Sequence, residues 1–434
     1  MIWRAEHFIF TNMSRGGMSY AVYSMMGYGH FRAAYPLRDF SELIRADSYE
    51  GIPKKDKIIW SLLSSGYSGI TRSIELPIIG RLSFLTFDYF QRVPSFYPRR
   101  DLSRPNLALL IIYGLLEVGF GRDLIKRLSR EPLPLISTYF IPAFMAEHYN
   151  YPGDIYCLVC DADIARTWAP LRPKASRIKY LAPTSRVAER LRDYGVRSEI
   201  HVTGFPLPLE LIGEDMIILK GDFSKRLVNL DPNGIFIDKY SSLLKEKLGG
   251  MPSSSDHPLT IMFSVGGAGV QARLGVALMR KLRDILAKGE LKLLISVGVR
   301  RKLRDYYLYW MDKLGLRDRV GLIFSEDPES YIREFNSSLR KSDILWTKPS
   351  ELSFYAALGI PIIASEPVGS HEVSNLRFLI KGGYGMEQGD VRYLEQWFFD
   401  WLRSGYFAEK AIRGFLELEK LGALNVRRVV LQPF

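Results

Sequence analysis

The sequence predicts an α/β protein with two Rossmann-like, parallel-sheet domains facing across a cleft, followed by C-terminal helices. Three observations carry this reading. Short apolar runs alternate with helical patterns up to about residue 207; the alternation is lost between about 208 and 257; and it restarts at Leu259 and continues to about 390. Strands separated by helices make parallel sheets, and ligands of such sheets bind beyond the carboxyl ends of the strands. The expected division is 1–207 for the first domain, 208–257 for a linker or insertion, 258–390 for the second domain, and 391–434 for helices packing back across both. There is no internal repeat of short period.

In the first half, YAVYSMMG (20–27) reads as a strand and YGHFRAA turns into a helix. PLISTYF (134–140) is a strand, followed by a helix through Met145 and His148. DIYCLVCDAD (154–163) and RIKYLAP (177–183) are strands. TSRVAERLRDYGV is a helix with Thr184 or Ser185 as N-cap and Gly195 as its stop. EIHVTGFPL (199–207) closes the series. The break holds DPNG and GGMPSSSDHP, clusters of turn residues. The second half reads as strands LTIMFSV, LKLLISVGV, RVGLIFS, DILWTK and PIIAS, with helices after each, including ELSFYAALG after the fourth. The tail from Val391 to Glu419 is helical and amphipathic.

Composition sets the class of partner. The chain has 434 residues, 47% hydrophobic and 24% charged, which excludes a disordered or low-complexity protein. The formal charge is +12, and residues 1–200 hold +8 of it. An anionic partner is implied: nucleic acid, a phosphorylated substrate or an anionic membrane surface. The start, MIWRAEHFIF, carries Glu6 and no long apolar run, so it is not expected to be a secretory signal. The longest apolar stretch, Leu107 to Leu116, is too short to span a bilayer. Cys157 and Cys160 sit in a strand-like run with no second cysteine pair, and read as two small buried residues in a reducing cytoplasm. No metal site is expected.

Four motifs carry candidate chemistry. Gly27-Tyr28-Gly29-His30 lies between a strand and a helix, with His30 as candidate general base. Gly266-Gly267-Ala268-Gly269 does the same in the second half, where backbone amides can bind a diphosphate. Residues 267–272 also fit G-x-G-x-x-A, but the next strand ends in Arg300 and Arg301 rather than the acid that holds a ribose; both arginines suit a phosphate. Thr347-Lys348-Pro349-Ser350-Glu351 and the loop Glu366 to Asn375, with His371 and Glu372, gather groups that bind sugar hydroxyls. Asp161-Ala162-Asp163 at a strand end, followed by Trp168, offers acid/base or ligand carboxylates without accompanying histidines.

Taken in order, these residues resemble the two-domain nucleotide-sugar glycosyltransferases of GT-B architecture. The nearest group contains monogalactosyldiacylglycerol synthase and the N-acetylglucosaminyltransferase of peptidoglycan lipid synthesis. GYGHFRAA, CDADIARTWAP, YLAPTSRVAERLRDYGVRSEIHVTGFPL, SVGGAG, TKPSELSFYAALGIPII and GSHEVSN carry the likeness, over roughly 20–35, 135–207 and 258–385. The resemblance implies transfer of a sugar from a UDP-type donor with inversion, with no metal and no cofactor. It implies His30 as base, Gly266, Gly267 and Gly269 as the diphosphate loop, and Glu372 and Asn375 on the sugar. Arg300, Lys348, Ser350, Glu351 and His371 complete the expected donor side. Gly27, Gly29 and Trp168 belong to the acceptor side, and Asp161 is expected to orient His30. The family's ribose acid falls on Phe354 here, with Glu351 one turn earlier.

The stretch 53–130 lies outside the resemblance. Phe84, Phe87, Tyr89, Phe90, Phe96 and Tyr97 interleave with Arg92, Arg99, Arg100 and Arg104, a pattern that suits an interfacial membrane contact. The expected partners are therefore a nucleotide-sugar, a lipid or polyprenyl-linked acceptor and an anionic membrane surface, for a cytoplasmic protein peripheral to the membrane. Nucleic acid is not expected, since no binding module is present. The alternatives are a sugar-nucleotide epimerase of the same fold and a non-catalytic donor-binding protein.

Overall fold

The computed structural model describes residues 17–73, 92–266, 269, 271–367 and 369–432. The first half forms strands β1 (Ser19–Tyr23), β2 (Ser41–Arg45), β3 (Leu135–Ser137), β4 (Ile155–Leu158), β5 (Lys179–Ala182) and β6 (Ile200–Val202). They make one parallel sheet in the order β2-β1-β3-β4-β5-β6. The second half forms β7 (Thr260–Ser264), β8 (Lys292–Gly298), β9 (Val320–Phe324), β10 (Ile344–Thr347), β11 (Ile362–Ala364) and β12 (Gly385–Glu387). Their order is β12-β11-β10-β7-β8-β9, again parallel throughout. These are two Rossmann-like domains, the architecture expected. β3, β4, β7, β10 and β11 are buried at every position, as strands covered on both faces must be.

Several strands are shorter than the apolar runs that predict them. The run at 20–27 leaves the sheet after Tyr23 and the run at 154–163 after Leu158. The remainders become loops at the carboxyl edge, where a ligand site forms. β2 and β12 were not among the expected strands. The helix Ser185–Asp193 starts as its sequence indicates, with the Thr184 hydroxyl accepting from the Val187 amide at 3.3 Å.

Residues 208–257, expected as a linker or insertion, are largely helical. They fold into helices Ile217–Leu230, Ile235–Lys239 and Ser241–Leu248. The Arg226 guanidinium, 3% exposed, donates to the carbonyls of Ser342 and Leu358 at 2.8 and 2.7 Å. Phe223 stacks on Phe415 at 4.4 Å, so the segment is welded to the second domain. The tail extends past Glu419 as the helix Gly422–Leu431, where Asn425 donates to the Thr203 carbonyl of the first domain at 3.0 Å.

The segment Glu351–Leu358 is a 3-10 helix rather than the expected α-helix. Three residues per turn align positions i and i+3. Glu351 and Phe354 accordingly both meet the first domain. Phe354 is 4% exposed and stacks on Phe205 at 5.0 Å and 9°. The position where the resemblance places a ribose acid is thus spent on an apolar junction between the domains. One hydrophobic cluster runs through it from the first sheet into the second domain. A separate cluster around Trp60, Phe140 and Trp168 fills the other face of the first sheet.

Candidate active site

The strand orders locate the site. In the first sheet β1 lies between β2 and β3; in the second β7 lies between β8 and β10. Crossovers depart to opposite sides at β1/β3 and at β7/β10, and such switch points leave a crevice beyond the strand ends. The loops after β1, β3, β7 and β10 all line one cleft of about 410 Å³ between the domains.

The first-domain wall carries Gly27, Gly29, His30, Asp161 and Trp168. His30 lies within 2.7 Å, at Nδ1, of the Thr138 carbonyl. A carbonyl only accepts, so Nδ1 carries the proton and Nε2 of the neutral ring is the basic atom. Tyr139 packs on the imidazole with centroids 4.6 Å apart. Burial pushes the His30 pKa below its ordinary value, against the Asp161 carboxylate and the Thr138 bond, which favour the cation; His371 adds to the lowering. The ring is therefore neutral at physiological pH. The atom that orients it is the Thr138 oxygen, not Asp161 as expected.

Asp161 faces the other domain. Its Oδ1 accepts from Asn375 Nδ2 at 2.9 Å, and Asn375 Oδ1 accepts from the Ala162 amide at 2.8 Å. Asn375 is fully buried and bridges the two domains instead of facing the cleft as a sugar contact. Asp163 is a structural carboxylate. It accepts two bonds of 2.8 Å from Arg190, whose guanidinium lies over Phe96.

The second-domain wall carries Gly266, Arg300, Lys348, Ser350, Glu351 and His371. Gly266 has φ +74, a left-handed conformation that favours glycine, and a Cβ there would press on the Lys348 stem at 3.3 Å. Gly269 stands beside the Arg300 guanidinium. Gly267 of the expected diphosphate loop lies outside the described residues. Lys348 Nζ is held by Glu372, which is 2% exposed and sits behind the lysine. Arg301 does not join the site: it is exposed and pairs with Glu326 at 2.6 Å. Arg300, the N-cap residue before it, faces the cleft instead.

Two residues were missed by sequence reasoning. Arg32, two positions after His30 on the first-loop helix, is 2% exposed and lines the cleft floor. It pairs with Glu351 at 3.3 Å, stacks on Phe335 at 3.9 Å and donates to Tyr331 at 3.1 Å. Glu351 is therefore occupied by an arginine of the opposite domain. Tyr28 crosses the cleft as well, its hydroxyl accepting from the Val299 amide at 2.9 Å. Among the described residues no group of three or more His, Cys, Asp or Glu side chains is placed to hold a metal. Cys157 and Cys160 are buried thiols, and Cys160 Sγ lies 3.3 Å from the Thr138 carbonyl that orients His30.

A buried, oriented imidazole on one wall thus faces cations and a glycine turn on the other. No protein-family model and no curated protein matches the chain. Solved structures similar to it include the UDP-GlcNAc 2-epimerase from Neisseria meningitidis bound to UDP-GlcNAc, at 12% identity, 95% of this chain, 99% of that chain and TM-score 0.47. MurG of Acinetobacter baumannii is similar at 12% identity, over 85% and 95%, with TM-score 0.43. The spinosyn rhamnosyltransferase SpnG is similar at 14% identity, over 95% and 99%, with TM-score 0.44. At these identities and scores the likeness assigns no activity.

Proposed function

We propose that the chain is a glycosyltransferase that moves a sugar from a UDP-type nucleotide-sugar to a hydroxyl acceptor with inversion. The observation that carries this is the single cleft shared by two switch points, with a neutral, oriented imidazole on one wall and Arg300, Lys348 and Gly266 on the other. His30 Nε2 takes the proton of the acceptor hydroxyl. The acceptor oxygen bonds to the anomeric carbon as the bond to the diphosphate breaks on the opposite face, its electron pair leaving with the phosphate. Arg300, Lys348 and the 266–269 loop hold the growing negative charge, so the step needs no metal or cofactor. His371 and Ser350 serve the sugar and nucleotide, and Trp168 the acceptor side.

The acceptor we propose is lipid or polyprenyl-linked, reached at an anionic, cytoplasmic membrane face. Supporting this, Leu107, Leu110, Ile111 and Val118 stand exposed along one face of the helix Leu107–Glu117 and its end. Ile58 and Leu62 are exposed on the helix Lys54–Ser73, whose Ser64 lines the cleft. Exposed Lys54, Lys55 and Lys57 adjoin them. Phe96 belongs to the core, not to this surface, and Tyr97 is exposed. Phe84, Phe87, Tyr89 and Phe90 lie outside the described residues. Among the described residues no helix is long and apolar enough to cross a membrane.

Calorimetry with UDP tests the donor class, with binding expected and weakened by Arg300→Ala. His30→Ala should keep UDP binding and lower transfer by a factor of about 10². Full transfer by that variant removes the base. A UDP-sugar isomerised without acceptor makes the chain an epimerase, and UDP binding with neither reaction makes it a donor-binding protein. Co-sedimentation with anionic liposomes, reduced by Leu110→Ser with Ile111→Ser, tests the membrane contact; its absence at every salt concentration overturns it.

A further inference from the structure

Three neighbouring strand ends converge on Lys348. Thr347 ends β10 and pairs with Ser264 at the end of β7, while β11 flanks β10 on its other side. Gly266 follows β7, Lys348 follows β10, and the helix Ser370–Gly382 follows β11. A Cβ on Gly266 would stand 3.3 Å from the Lys348 Cδ and Cε. Glu372, in the first turn of that helix, holds the Lys348 Nζ. The lysine is thus held at both its stem and its tip.

Lys348 and His371 line the cleft, and Glu372 is not part of its wall. The Glu372 side chain is 2% exposed, against 19% for Lys348, and His371 Nε2 lies 3.9 Å from the same carboxylate oxygen. A ligand in the cleft therefore meets Lys348 and His371, with Glu372 behind them.

A buried carboxylate is costly unless paired, and the first turn of a helix favours its charge. Glu372 is stable in this position as the partner of Lys348. A lysine carries its charge on a flexible four-carbon stem, and ordering such a side chain at the moment of binding costs affinity. Glu372 orders it beforehand.

We propose that Glu372 is a positioning residue: it fixes the Lys348 ammonium for the donor's diphosphate, and does not contact the sugar as the resemblance implies. The inference rests on the UDP-sugar reading of this cleft. It leaves His371 as the side chain of this loop that faces the sugar.

Calorimetry on the full chain with UDP and with UDP-glucose separates the two roles, because UDP lacks the transferred sugar. Glu372→Ala should weaken both ligands by the same factor, about fivefold. Glu372→Gln keeps an acceptor for Nζ and should restore both to within about twofold of the unaltered chain. In a Lys348→Ala background, Glu372→Ala should change neither ligand; that double variant removes both partners and strands no charge. Weakening of UDP-glucose with UDP unchanged overturns the proposal and makes Glu372 a sugar contact. A further loss in the Lys348→Ala background also overturns it, as does UDP affinity left unchanged or raised by Glu372→Ala; each of these leaves the donor reading standing. Absence of UDP binding by the unaltered chain overturns the inference together with the donor reading.

Discussion

His30 is neutral because it is buried, and its tautomer follows from a single carbonyl. The imidazolium forms only as pH falls below the ordinary histidine value of about 6.5, so the acid limb of kcat/KM should lie below that value. The same sign holds for stability. The unfolded chain takes up the proton first, so this group's contribution is lost as pH falls from 6.5 toward the lowered folded value. Asp161→Asn removes a charge that favours the cation and should move the His30 midpoint lower still in an NMR titration. An unmoved midpoint would separate the two residues. Asp163, two positions on, behaves differently because Arg190 takes both its oxygens. Asp163→Asn strands a buried guanidinium and should cost about 3 kcal/mol in urea unfolding. The DAD motif alone does not distinguish these carboxylates; successive residues of a loop diverge, and only their neighbours assign them.

At the scale of elements, the strand runs and the Thr184 cap were legible because burial on both faces and capping are local. The helices of 208–257 were not, since two of them are short, DPNG breaks the run, and their apolar faces are matched only by distant parts of the chain. His257 shows how that match is latched. Its two ring nitrogens face Asp256 at 2.7 Å and Asp343 at 3.2 Å, and the bond to Asp343 chiefly raises its pKa above the ordinary value. The 3-10 helix Glu351–Leu358 is the other departure. Its Phe354 edge joins the domains, and Phe354→Ala should destabilise the chain by about 3 kcal/mol. A denaturation midpoint equal to that of the unaltered protein would show that the stack carries no load.

At the scale of the whole molecule, the cleft is closed by side chains from both walls: Arg32 with Glu351, Asn375 with Asp161, and Tyr28 with the Val299 amide. The Tyr28 ring fits because Gly298 lacks a side chain; with φ +72, a Cβ there would collide with the Tyr28 hydroxyl. Gly298→Ala should therefore open the domains, seen as a larger radius of gyration in X-ray scattering, and weaken nucleotide binding. An unchanged radius would show that Tyr28 does not hold the closure. The +12 charge divides at this scale too. Arg300 and Lys348 face the cleft, Arg32 lies at its floor, and further cations line a second groove.

The sequence by itself determined two parallel-sheet domains and the loops that carry the site, because strand periodicity and strand-to-helix turns are written over a few residues. It also marked His30, Arg300 and Lys348 as cleft residues before any distance was known. Only the tertiary structure decided what each group does. Thr138 rather than Asp161 orients the His30 ring, Arg32 claims Glu351, and Asn375 ties the domains together. Those assignments join residues more than a hundred positions apart, and their energies depend on burial and partner geometry that the packing of two domains creates.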